Sequence, residues 1–349
     1  MCVFSLLGAL DRIFGNRFGL GKEFERGFLL LGTIALSMIG MIVISPVIAD
    51  LLAPAFDFVY ERMGVEPSVI PAILFANDMG GAPLAIEVAR NSQLGMFNAL
   101  VVSAMMGATI SFSLPFSLGV VRQEQHKTMF LGLLCGIVTV PVGCLVSGLM
   151  LSVPVTLLVV DLLPLILFSI VVAVGTLVWP GVCVRIFGWI GKGLKILITF
   201  GLGLGILRFL TGIEIVPGVA ALEEGAAIAL NACVVLSGAF PFMYLLSRVL
   251  SRPVKKLAGA LGVNEVSAFG FISTLATNVT TFERMGEMDN KGVVLNSAFA
   301  VSAAFVFASH LAFTMAMDVS YIPAVTVGKL VAGVTAVLIA IPVSKAAEE

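Results

Sequence analysis

Long apolar runs separated by short polar turns dominate the chain. Runs able to cross a bilayer cover about 27–49, 96–121, 128–151, 153–179, 193–212, 225–249, 292–316 and 323–344, and a shorter one covers 1–14. Each long run meets the need of a spanning helix for roughly 20 apolar residues. The short first run, Met1 to Leu10, gives way to Asp11 and Arg12 with neither a basic start nor a small-residue cleavage site. It reads as a first helix lacking its beginning, not as a cleaved signal peptide. Two further segments, about 67–92 and 265–290, are interrupted in the middle. In the first, Ala76-Asn77-Asp78-Met79-Gly80-Gly81-Ala82-Pro83 separates the apolar arms Pro67–Phe75 and Leu84–Ala89. Unwound backbone at membrane depth persists only where protein or a water-filled cavity surrounds it. An arm of about nine residues reaches roughly 13 Å at 1.5 Å per residue, half of a hydrocarbon core of about 30 Å. The pattern therefore predicts a re-entrant hairpin at each interruption.

Loop charges bear on this topology. Arg17, Lys22 and Arg26 follow the first helix; Arg122 and Lys127 flank a turn; Arg185, Lys192 and Lys195 precede the 193–212 run; Arg248, Arg252, Lys255 and Lys256 form the densest basic loop. The turns around Ser152 and Ile322 have no Lys or Arg, and the one around Glu214, Glu223 and Glu224 is acidic. If both interrupted segments return to their own side, all the richly basic loops share one face, which the positive-inside rule makes cytoplasmic. Arg62 and Arg90 are the isolated exceptions, and the C-terminus, Lys345 to Glu349, falls on the cytoplasmic side.

Composition agrees. The 349 residues are 59% hydrophobic and 12% charged, with a mean hydropathy of +1.10, far from the balance of a soluble domain. The 36 glycines suit close approach of membrane helices. A net charge of -1 argues against nucleic acid. Cys2, Cys135, Cys144, Cys183 and Cys233 show no metal or redox spacing and read as small buried hydrophobes.

The chain also resembles itself. Ile34-Ala35-Leu36 matches Ile228-Ala229-Leu230, and Asn77 matches Asn278; Gly95 matches Gly292, Asn98 matches Asn296, Ser103-Ala104 matches Ser302-Ala303, and Gly136 matches Gly333, at shifts between 194 and 201 residues. A nearly constant shift over successive elements implies a duplication. With re-entrant hairpins the second copy is upside down, as in many secondary transporters. The expected fold is an all-α polytopic membrane protein of about 9–11 transmembrane helices. It comprises a first repeat at 1–152, a linker helix at 153–179 and a second repeat at 180–349, each repeat holding one broken hairpin.

Polar residues inside a membrane are costly and mark pathways. Asn77 and Asp78 in the first interruption face Thr277, Asn278, Thr280, Thr281 and Phe282 in the second. Asn77 and Asn278 suit either capping of a broken helix or ligand contact; Gly80 and Gly81 suit backbone conformation. Asp78 fits a cationic substrate or a coupling ion, since the sequence places no Lys or Arg near either interruption except Arg284. Phe282 offers a ring face to a cation. Asn98, Ser103, Asn296 and Ser302 read as interhelical hydrogen-bonding groups. His310 is a structural histidine or a titrating one, Asp161 and Glu87 are weaker candidates, and Glu283, Glu287 and Asp289 belong to a solvated arm. No catalytic, phosphate-binding or metal-binding motif appears, so neither an enzyme nor a cofactor is expected. Gly201-Leu202-Gly203-Leu204-Gly205 reads as close helix packing.

Several stretches resemble the ethanolamine-utilisation transporter family: Asp11-Arg12-Ile13-Phe14-Gly15-Asn16-Arg17-Phe18-Gly19-Leu20-Gly21, Ala76 to Ala85, Met288-Asp289-Asn290-Lys291-Gly292, and Asn296 to Phe307 continuing through His310-Leu311-Ala312-Phe313-Thr314. The resemblance implies a multi-pass bacterial inner-membrane protein that imports ethanolamine for a cobalamin-dependent lyase in the cytosol. Family members begin with a longer first helix, and an Asp often stands where this chain has Ser309. Ethanolamine is a small ammonium with one hydroxyl. Asp78 with Phe282 would hold the first, and Asn77, Asn278 and Thr281 the second, with Thr277 a further substrate-binding candidate. Coupling to protons or sodium and homo-oligomeric assembly are left open. The alternatives are an ion-coupled carrier of another small polar solute, a membrane-embedded enzyme, or a scaffold without transport.

Overall fold

The computed structural model describes residues 1–346, without the side chains of 177, 180, 184, 250–253, 255 and 346. The stretch 347–349, and with it most of the expected C-terminal tail, lies outside the described residues, as do the side chains of Arg252 and Lys255; the segment expected to be the densest basic loop is not a loop but the C-terminal part of a helix that runs from Leu222 to Leu261. Every regular element is helical. α1 (Cys2–Ile13), α2 (Leu20–Leu29) and α3 (Leu31–Met63) lead to α4 (Val69–Leu74) and α5 (Gly81–Val88). Then come α6 (Ser92–Phe97), two π-helical stretches (Asn98–Gly107 and Thr109–Ser113), α7 (Leu114–Val120), α8 (His126–Ile137), α9 (Val140–Met150) and α10 (Val155–Val178). α11 (Pro180–Thr211), α12 (Leu222–Leu261), α13 (Glu265–Ala276), α14 (Val279–Glu283), α15 (Asn290–Ala303), α16 (Ser309–Met317) and α17 (Ile322–Ala346) complete the chain.

Among the described residues 7 helical stretches are long and apolar enough to cross a membrane: Leu20–Met63, Ser92–Val120, Gln123–Met150, Val155–Thr176, Gly181–Thr211, Leu222–Val249 and Val319–Lys345. The protein is an all-α polytopic membrane protein. Its outer helices carry exposed Leu163, Leu167, Ile170 and Val171 on α10 and Ile196, Phe200 and Leu210 on α11, surfaces that suit hydrocarbon and not water. α3 and α11 touch backbone to backbone: a Cβ added at Gly40 would overlap the carbonyl of Ile198, and one added at Gly201 the carbonyl of Gly40. The glycine run is therefore a packing surface, as expected.

Both interrupted segments fold back on themselves. Glu66, before α4, accepts hydrogen bonds from the backbone N–H groups of Arg90 (2.7 Å) and Asn91 (3.1 Å), beyond α5. The Asp289 carboxylate, beyond α14, accepts from Asn264 N (3.2 Å) and Ser267 Oγ (2.7 Å) at the start of α13. An acidic side chain thus fastens the two ends of each hairpin. One expected element is corrected: the 292–316 run is not a continuous helix. It unwinds between Ala304 and Ala308, separating α15 from α16. Phe305 N donates to Thr274 O (3.2 Å) and Phe307 N to Leu275 O (3.0 Å). These carbonyls end α13 and lack partners within their own helix, so the unwound strand caps the hairpin arm.

Candidate functional site

The tip of the first hairpin is a tight turn. Gly81 N (2.8 Å) and Met79 N (3.0 Å) both donate to Ala76 O, and Ala76 N donates to Ser111 Oγ at 3.0 Å on the second π-helical stretch. Gly80 adopts φ +102 with Met41 packed where a Cβ would stand, so the turn requires glycine there. Asn77 is fully buried; its Oδ1 accepts from Asp78 N (2.9 Å), while its Nδ2 has no partner among the described residues. At the second tip, Thr277 Oγ1 accepts from Val279 N (3.2 Å) and Asn278 Nδ2 donates to Ser113 Oγ (2.8 Å). Neighbouring serines of one π-helical stretch thus tether both tips. π-helical turns are rare and recur at functional sites.

A cavity of about 640 Å³ lies between the tips. Ala76, Asp78 and Met79 line it from the first hairpin, Ser273, Thr277, Val279 and Thr280 from the second, and Phe305, Ser309 and His310 from the α15–α16 break. Phe112 and Phe240 add rings, and Glu23, Arg26, Tyr244 and Ser247 stand toward one end. Arg26 pairs with Glu23 at 3.4 Å and lies 4.9 Å over the Phe240 ring. The wall is thus aromatic and hydroxyl-rich, and Asp78 keeps 23% side-chain exposure within it.

Of the residues singled out from sequence, Asp78, Thr277 and His310 line the cavity; Asn77, Asn278, Thr281 and Phe282 are buried behind its wall. Thr281 bonds Thr274 Oγ1 (2.9 Å) and Gly270 O (3.1 Å). Phe282 packs 6.5 Å from Phe116; the rings that face the cavity include instead Phe305, 5.0 Å from His310. Asn98 donates to Ser68 Oγ and Asp161 Oδ1, each at 3.0 Å, joining the first hairpin to α10. Asn296 donates to Ser267 O (2.8 Å) and Gly292 O (2.9 Å) on the second. Ser103 and Ser302 are fully buried, their hydroxyls without a partner among the described residues; a Cβ at Gly81 would come within 2.7 Å of Ser103 Oγ. Glu87 is exposed near Asp50 and Glu224. Arg284 and Glu287 pair at 2.8 Å on the exposed second arm, as expected of a solvated segment.

The expectation that no basic group other than Arg284 approaches the interruptions is wrong. Lys329, on α17, is fully buried; its Nζ donates to Ala104 O and lies 3.1 Å from His310 Nδ1. His310 Nε2 lies 3.9 Å from Asp78 Oδ1, and Ser309 adds a hydroxyl within bonding reach of the same carboxylate. Asp78, His310 and Lys329 form one chain leading inward from the cavity wall. A single lysine in an otherwise apolar span is a readable signal, because intramembrane charge is costly.

Two broken hairpins meet at this cavity of a polytopic membrane protein, and discontinuous helices of this sort recur in transporter folds. The chain matches the family described as ethanolamine utilisation protein, EutH, over residues 1–343. It belongs to that family. It is 40% identical over 341 residues to a probable ethanolamine permease EutH of Listeria monocytogenes serotype 1/2a (strain 10403S), covering 98% of this chain and 91% of the relative. It is 36% identical to the Escherichia coli (strain K12) protein of the same name, covering 97% and 93%, and 35% identical to the uncharacterized protein YxeR of Bacillus subtilis (strain 168), covering 96% and 91%. No solved structure matches the chain.

Proposed function

We propose that the protein is an ethanolamine permease of the bacterial inner membrane, with its C-terminus in the cytoplasm. The observation that carries this reading is the Asp78 carboxylate, set in a cavity walled by rings and hydroxyls. Ethanolammonium needs an anionic partner at one end and a hydroxyl partner at the other. Asp78 supplies the first, helped by the ring of Phe305. Thr277, Thr280 and Ser309 supply the second. Asn77, Asn278, Thr281 and Phe282 act one layer back, holding the tips; the free amide atoms of Asn77 and Asn278 come within a ligand's reach only if a tip rotates. The end of the cavity marked by Glu23, Arg26 and Ser247 adjoins the basic loops, so this reading makes the described state open to the cytoplasm. The near-constant sequence shift and the paired hairpins support inverted repeats that rock about the tips.

Uptake of labelled ethanolamine into proteoliposomes tests the proposal. Wild-type protein should accumulate label above empty liposomes. Asp78→Asn, which loses a charge-assisted contact of about 1.5–3 kcal/mol, should slow uptake by roughly 10- to 100-fold. Unchanged uptake by that variant, or none by the wild type, refutes it.

A further inference from the structure

Lys329 has no counterpart in the reading above, which needs only an anion for a cationic guest. Its surroundings are specific. The ammonium is fully buried and reaches two acceptors, Ala104 O and His310 Nδ1. When Lys329 donates to Nδ1, the neutral ring carries its hydrogen on Nε2, the atom that lies 3.9 Å from Asp78 Oδ1. The chain can therefore carry a proton in two ways. Lys329 is an ammonium and Asp78 a carboxylate, or Lys329 has passed a proton to Nδ1 while Nε2–H passes one to Asp78, leaving amine and carboxylic acid. Either arrangement has no net charge and holds one proton more than carboxylate and amine together.

A cationic guest changes the balance. If ethanolammonium settled beside Asp78 with that proton retained, the buried group would carry a net positive charge, which a low-dielectric interior strongly disfavours. Release of one proton restores neutrality, with Asp78 as carboxylate, His310 neutral, Lys329 as amine and the guest as ammonium. Lysine is the side chain suited to this step, because it yields its proton on burial where arginine does not.

We propose that Lys329 is a built-in competitor for the cation site, so that binding an amine cation at Asp78 and keeping the proton shared by Asp78, His310 and Lys329 are mutually exclusive. This rests on the permease reading and deepens it: a site that holds either a proton or an amine cation is the requirement for exchanging one against the other. Glu23, Arg26 and Tyr244 line the same cavity as Asp78 and His310, and the other titratable neighbours are few. On α9, Cys144 lies within electrostatic reach of Lys329 and also of Asp161 on α10, and Asp161 in turn feels Glu66. The π-helical stretch Asn98–Gly107 offers only the Ala104 carbonyl to Lys329. On α8, Cys135 packs farther along, with Ala336 and Ala340, while His126 and Lys127 begin that helix. Lys291 stands at the start of α15, and Asp318 and Tyr321 precede α17.

Calorimetric titration of the full-length protein in nanodiscs with ethanolammonium tests this, run in two buffers of different ionisation enthalpy. The wild type should release about one proton per amine bound, and its apparent Kd should rise by up to about tenfold per pH unit of acidification. Without Lys329 a proton can rest only on Asp78 itself, so Lys329→Met should bind without proton release, and with pH-independent affinity, at the most alkaline pH at which the wild type still releases one proton. Lys329→Arg, permanently charged, should bind at least about tenfold more weakly at every pH. Wild-type binding without proton release, or a full proton released by Lys329→Met at that same pH, overturns the inference while leaving the permease reading intact. Absence of wild-type binding and uptake at every pH overturns both. A melting transition confirms that each variant is folded; if the Met variant is not, the wild-type proton count and Lys329→Arg decide the matter.

Discussion

Gly80 and Phe305 show how single residues shape the cavity wall. Both have positive φ, +102 and +62, a region that glycine enters freely and aromatic residues avoid. For Gly80 the reason is space and turn geometry, since Met41 occupies the direction a Cβ would take. Gly80→Ala is expected to lose on the order of 1–3 kcal/mol, read as a lower melting temperature of the purified protein. Adding Met41→Ala should restore part of that loss if the contact with Met41 contributes. Phe305 is held by its N–H bond to Thr274 O and by its place beside His310 and Phe112, 5.0 and 5.8 Å away between ring centroids. Phe305→Leu keeps the volume roughly but removes the ring face, so uptake should show a raised KM for ethanolamine by about 2- to 5-fold, from a cation–π contribution of roughly 0.5–1 kcal/mol. An unchanged KM would assign the ring to packing alone.

At the scale of elements, the hairpins depend on their acidic fasteners. Glu66 is the sole side-chain acceptor seen for Arg90 N and Asn91 N among the described residues. Glu66→Ala should therefore cost about 1–3 kcal/mol, the penalty for buried donors left without partners, measured by thermal or denaturant unfolding. Burial pushes the Glu66 carboxyl above the ordinary glutamate range, overcoming the opposing backbone hydrogen bonds. A carboxyl raised on folding contributes stability that is fully present below its unfolded pKa and fades as pH climbs through the folded value. The stability of the wild type relative to Glu66→Gln should accordingly be greatest in acid and shrink through the glutamate titration range. The two hairpins were legible because Asn-Asp-Met-Gly-Gly and Thr-Asn break an apolar pattern visibly. The α15–α16 break was not, because Ala304-Phe305-Val306-Phe307-Ala308 contains no glycine, proline or polar residue. What unwinds it is the demand of the α13 carbonyls for donors, a tertiary requirement with no local mark. The same limit explains Phe282 and Phe305: sequence gives both rings membrane depth, and only packing decides which one faces the cavity. Lys329 was readable as a lone charge in an apolar helix, but nothing in its spacing ties it to Asp78, about 250 residues earlier.

At the scale of the molecule, loop charge and cavity shape make one joint claim. If basic loops are cytoplasmic, Ser247 and Ser37, which both line the cavity, are reached by water from the cytoplasm in the described state. Single cysteines placed there by Ser247→Cys and Ser37→Cys, in a chain also carrying Cys2→Ser and Cys183→Ser, should react with a membrane-impermeant thiol reagent in inside-out vesicles. Right-side-out cells should label them much more slowly. Ethanolamine should change the Ser37→Cys rate, which lies deeper, more than the Ser247→Cys rate. Faster labelling from the outside would reverse the orientation and place the basic loops against the rule. Equal labelling from both sides would indicate a continuous channel, which a rocking mechanism excludes. Labelling confined to the cytoplasmic face, with ethanolamine altering the deeper site, is the pattern that an inward-open carrier with an occluding pair of hairpin tips requires.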